Sequence, residues 1–200
     1  MASGSCNMVE VINMMYISKG IVKEGSTEQR LTVCYGGAEY VLTGKEAKSW
    51  LDGRYGVANV PDNAAETMIG HLHRMGLVEC EDEDNAVTKY RLLTRCVLVP
   101  TRKTGFNFLL GKTERHVLLW LRKAGIRLST AELVYLIDRE VKPSPQLLYV
   151  QNRQSLIERI YTKGTIRDNI LEAQMEKAVF RDEIVDAILH LISKKRLVVL

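Results

Sequence analysis

The 200-residue sequence contains no stretch of 18 consecutive apolar residues, so no membrane-spanning helix is expected. Its start, Met1-Ala2-Ser3-Gly4-Ser5, has neither the basic flank nor the long apolar core of a secretory leader. The four cysteines (Cys6, Cys34, Cys80, Cys96) are scattered, with no CxxC. Such usage fits a reduced cytosol, and a cytoplasmic location is the expectation. No Gly-rich phosphate loop, G-x-S-x-G or H-E-x-x-H is present, which argues against the enzymes those motifs serve. Paired carboxylates occur only in Glu81-Asp82-Glu83-Asp84, which reads as a solvated turn rather than an acid/base pair. His71 and His73 stand two apart. On a helix such positions point about 200° from each other, so they do not converge on a tetrahedral ion. His116 and His190 are isolated. No enzyme, metal or cofactor is expected.

What is present is an ordinary globular composition, 26% charged and 46% hydrophobic. The length fits one large domain or two small ones. Charge is unevenly spread. Residues 1–94 carry 9 Lys/Arg and 13 Asp/Glu, whereas residues 95–200 carry 19 and 11. Between 95 and 127 eight basic residues (Arg95, Arg102, Lys103, Lys112, Arg115, Arg122, Lys123, Arg127) accompany one acid, Glu114. Such a cluster attracts a polyanion; the plainer alternative is a solvated linker and helix face.

Val9 to Val22 is compatible with helix or strand. Leu31–Tyr35 and Glu39–Leu42 flank Gly36-Gly37, the signature of a hairpin with a primed turn. Thr43-Gly-Lys-Glu46 is a capping-box sequence opening a helix through Ala47, Trp50 and Leu51. Asp62 caps a second helix carrying Ala65, Met68, Ile69, Leu72 and Met75, with Gly76 as its C-terminal cap. A strand at Leu77–Cys80, the acidic turn and a returning strand at Ala86–Leu92 complete the segment.

That order resembles the winged-helix version of the helix-turn-helix fold. The residues carrying the resemblance are Leu42-Thr43-x-x-Glu46, the helix end Arg74-Met75-Gly76-Leu77-Val78 and the acidic-tipped hairpin. It covers about residues 39–94. A first helix is not evident upstream unless residues 8–20 supply it.

The second half repeats the pattern. Lys112–Ala124 is amphipathic, with Val117, Leu118, Leu121 and Ala124 on one face and Lys112, Arg115, Leu119 and Arg122 along another. Arg127–Glu132 overlays Val41–Glu46 at an offset of 86, and Ile188…Leu197-Val198 overlays Met68…Leu77-Val78 at 120. The helix Asp182–Ile192 then runs into a strand at Leu197–Leu200, expected beside Ile126–Leu128. Extra helices over residues 143–178 pack on the second domain or on a second subunit; a filled local core is the plain reading.

The resulting expectation is an α+β, helix-rich chain with two winged-helix-like domains, the second with a helical insertion. The boundaries are 1–94, a linker at 95–111 that reads as a strand leading into a Pro/Gly-containing connector, and 112–200. The resemblance implies a DNA-binding transcriptional regulator. The alternative is a winged-helix protein–protein adaptor without DNA. Candidate partners are double-stranded DNA, a protein and a second copy of the chain, with no membrane. The basic residues Arg102, Lys103, Lys112, Arg115, Arg122 and Lys123 are the candidate phosphate contacts. Lys45, Lys48, Arg54, Asn63, Thr67 and Arg74 are further candidates on or near the first helix pair. Neither expected recognition helix is strongly basic, and the acidic turn would repel phosphate.

Overall fold

A computed structural model of the chain describes residues 14–101, 109–123, 128–161 and 168–200. The fold is α+β, about 51% helical, with small antiparallel sheets. Within Val9–Val22, the described part is extended: β1 (Met14–Ser18) and β2 (Ile21–Val22). Next come β3 (Arg30–Tyr35) and β4 (Ala38–Thr43), which pair across Gly36 and Gly37. Both glycines have positive φ (59° and 84°), as the primed turn requires. Helix α1 (Gly44–Asp52), β5 (Ala58–Asn59), α2 (Asn63–Arg74) and β6 (Val78–Asp82) follow. β1 lies between β5 and β6, so the first strand among the described residues is the central one of that sheet.

Side chains alternate across β1, and here the alternation joins two cores. Tyr16 enters the first, with Leu31, Val33, Leu42, Trp50, Ile69, Leu72 and Leu77. Its hydroxyl donates to the Ser49 carbonyl at 2.9 Å. Met15 and Ile17 enter the second, formed by α3 (Ala86–Thr94), β7 (Leu98–Pro100), α4 (Lys112–Lys123), α5 (Thr130–Asp138), α9 (Arg181–Ser193) and β8 (Leu197–Val199). Between α5 and α9 lie α6 (Pro145–Leu148), a 3-10 turn (Val150–Asn152), α7 (Arg153–Ile160) and α8 (Asp168–Met175). Leu156, Ile160, Leu171 and Met175 of this stretch are buried in the second core.

Several expectations need correction. Ala86–Thr94 is a helix, not a returning strand. Asn85 caps it, its side chain accepting from Thr88 N–H at 2.9 Å. Tyr90 and Leu93, one turn apart, bury together. The polar–apolar alternation that reads as a strand is outweighed by that packing and that cap. Tyr90, Leu92 and Leu93, assigned by sequence to the first domain, lie in the second core. The strand candidate at the start of the expected linker is present as Leu98–Pro100, and it is this strand that pairs with β8. Leu128, from the segment expected to do so, is instead buried in the helical core, and Ile126 and Arg127 lie outside the described residues. At α1, Thr43 occupies the cap position but makes no side-chain bond to the helix, while Glu46 pairs with His71 at 3.2 Å. The same motif at Ser129 and Glu132 does close into a full capping box.

The two strand pairs share one register. Ser18, Ile17 and Tyr16 oppose Val78, Glu79 and Cys80; Pro100, Val99 and Leu98 oppose Leu197, Val198 and Val199. One residue further on, Lys19 N–H donates to the Leu77 carbonyl and Thr101 N–H to the Arg196 carbonyl. The preceding helices end alike. Gly76 and Leu77 donate to the carbonyls of His73 and Leu72, and Lys195 and Arg196 to those of Ile192 and Leu191. This is the Schellman pattern. Helices α1 and α5 are both nine residues long and correspond at the offset of 86. Val78 thus matches Leu197, one residue short of the overlay at 120, and Lys195 stands in the second turn where Gly76 stands in the first.

Candidate nucleic-acid interface

Helix α4 buries Val117, Leu118, Trp120 and Leu121 and leaves Lys112, Arg115 and Lys123 exposed and Arg122 half-exposed. Its one acid, Glu114, faces inward. There it accepts from Gly111 N–H at 2.5 Å and pairs with His190 of α9. The outer stripe therefore has no carboxylate of its own helix beside it. Arg115, Arg122 and Lys123 line a groove of about 340 Å³ floored by Leu110, Leu118 and Leu119. None of the three makes an ion pair among the described residues. Lys112, one turn back, borders a separate cleft of about 400 Å³ with Thr113, His116, Phe180 and Glu183. Arg102 and Lys103 lie outside the described residues.

The remaining candidates divide. Lys45 and Lys48 on α1, and Asn63, Thr67 and Arg74 on α2, are all exposed. Thr67 spends its hydroxyl on the Asn63 carbonyl at 3.1 Å. Lys45, Lys48 and Arg74 have no acidic partner among the described residues. Arg54 is not a surface contact. It is only 7% exposed, with its guanidinium 5.2 Å from the Trp50 ring. The solvent face of α9 carries Asp182, Glu183 and Asp186, so that helix presents negative charge.

No other chemistry gathers nearby. The described residues contain no group of three or more His, Cys, Asp and Glu able to hold a metal ion, and no helix long and apolar enough to cross a membrane. His73 spends Nδ1 on the Val78 carbonyl at 3.1 Å. Burial pushes the thiols of Cys80 and Cys96 up to about 12, away from the reactive thiolate. Lys195, which lies over the Tyr55 ring at 4.6 Å, is a charged residue that the sequence does not single out. Its place depends on contacts between residues 140 positions apart, and no local pattern signals it. No protein-family model, curated protein or solved structure matches the chain.

Proposed function

We propose that the chain is a DNA-binding regulator made of two degenerate winged-helix-like units that holds duplex phosphates along α4. The unit reading is supported by the common strand register, the paired Schellman turns and the matched lengths of α1 and α5. The observation that carries the binding reading is the groove of Arg115, Arg122 and Lys123, three cations with no carboxylate partner among the described residues. Unpaired cations on a helix attract phosphate and release its counterions on binding. Lys45, Lys48 and Arg74 on the α1–α2 face are secondary contacts of the same kind. Phosphate contact fixes position without reading bases, so this interface supplies affinity rather than sequence choice. The test is a mobility shift with mixed genomic DNA at low salt, lost as salt is raised. Absence of any retarded species at low salt contradicts the proposal.

A protein–protein adaptor is the second reading. It is favoured by the acidic solvent face of α9 and by the presence of helix α3 where a wing strand was expected. Purification of the chain with a stoichiometric protein and no DNA affinity would favour it.

A further inference from the structure

Arg54 is a chemical anomaly. It follows α1, is 7% exposed, and makes no side-chain hydrogen bond or ion pair among the described residues. A guanidinium has five N–H donors and stays charged in proteins. No Arg54 nitrogen is among the fully enclosed polar atoms that lack a partner, so the guanidinium nitrogens keep contact with solvent. Here two aromatic rings lie beside the planar head, Trp50 at 5.2 Å and Tyr55 at 6.0 Å. Burial lowers its proton affinity below the ordinary arginine range, as expected for a charge out of water without a counterion.

A second cation reaches the same ring from the other end of the chain. The Lys195 ammonium sits 4.6 Å from the Tyr55 centroid and makes no ion pair among the described residues. Trp50 belongs to the first core and Leu197, two residues after Lys195, to the second, and two hydrogen bonds tie this region together. Gly20 N–H donates to the Val199 carbonyl at 2.9 Å, and Trp50 Nε1–H to the Lys19 carbonyl at 3.1 Å. At Gly53, just before Arg54, a Cβ would stand 2.6 Å from Tyr16, so the chain here is held closely. Two positive groups held against one ring repel each other, and a bound anion would offset that repulsion. The ends of α1 and α9 offer only partial negative charge, and among the described residues no carbonyl accepts from either head group.

We propose that Arg54, Tyr55 and Lys195 form a binding site for a small phosphate-class anion at the junction of the two cores. Arginine presents a planar fork that matches two phosphate oxygens, and lysine supplies a point charge to a third. The depth of Arg54 favours a free phosphate or a phosphorylated small molecule over the backbone of a duplex. The site is independent of the α4 groove.

Inorganic phosphate is titrated into the full chain at constant ionic strength, with chloride as the balancing anion, and melting temperature and tryptophan emission, to which Trp50 and Trp120 both contribute, are followed. The expected result is a saturable emission change and a rise in melting temperature. Lys195→Gly should weaken phosphate binding at least tenfold, and Arg54→Met should abolish it. Lys195→Gly keeps the test valid if Arg54→Met fails to fold, because glycine suits the positive φ of 58° at that position. Duplex DNA should leave the phosphate response unchanged. An equal response to chloride, or an undiminished one in Lys195→Gly, overturns the proposal. Displacement of phosphate by duplex overturns the free-anion assignment. DNA retention by charge-reversed α4 variants is scored separately, so the two proposals fail independently.

Discussion

Gly76 and Lys195 occupy the same position in two helix-to-strand turns. Both have positive φ, 75° and 58°, and both N–H groups donate to a carbonyl three residues back at 2.8 Å. Glycine adopts this conformation freely, whereas a side chain pays roughly 1–2 kcal/mol for it. Gly76→Ala should therefore destabilise by about that amount, with added crowding from Tyr35 at 3.4 Å from the new Cβ. Lys195→Gly should stabilise by up to about 1 kcal/mol. Urea midpoints check both. Equal effects of the two substitutions would contradict the shared geometry.

Helix α3 stands where a wing strand was expected, and Asn85 starts it. Replacing Asn85 with Ala should cost about 1 kcal/mol, while replacing it with Gly should cost only a few tenths. Denaturant midpoints in the order Asn, Gly, Ala are the expected outcome. Indifference of the midpoint to all three residues would contradict the cap.

Cys96 is 2% exposed and its Sγ donates to the Leu92 carbonyl at 3.1 Å. Burial raises its folded pKa from 9.0 to about 12. Above pH 9 the unfolded chain releases this proton and the folded chain keeps it. Stability from this thiol is thus intact below pH 9 and falls as pH rises toward 12, by at most about 1.4 kcal/mol per pH unit. Urea midpoints measured from pH 8 to 10.5 should decline more steeply in the native sequence than in Cys96→Ala. At pH 8 a thiol-specific disulfide reagent should label Cys96 only after unfolding. Labelling of the folded chain would contradict the burial.

Local signals made much of the fold legible. Gly36-Gly37 declared the first hairpin, Asp62 and Gly76 bounded α2, Ser129 and Glu132 opened α5, and the apolar face of α4 was evident. Long-range pairing was not legible. Leu98–Pro100 and Leu197–Val199 meet across nearly the whole second half, and three residues of strand carry too little pattern to name their partner. The second copy of the turn is legible but set one residue off, and Lys195 there takes a conformation that sequence normally signals with glycine. The α3 segment reads as a returning strand because Lys89, Tyr90, Arg91 and Leu92 alternate after the acidic turn, although Asn85 holds the helix signal.

The candidate site divided along similar lines. Arg115, Arg122 and Lys123 share a groove because helical spacing forces them onto one side of α4, which periodicity captures. Arg54 escaped it. A lone arginine reads as a surface charge, and only the rings of Trp50 and Tyr55 reveal that it is enclosed.

The groove on α4 is tested most directly by the salt dependence of DNA affinity. Three phosphate contacts give a slope of log K against log salt of about −2.7, steeper if the α1–α2 face also engages. The double variant Arg115→Glu, Arg122→Glu should weaken binding and flatten that slope by about 1 for each lost contact. Affinity and slope equal to those of the native sequence would contradict the assignment of the groove to nucleic acid.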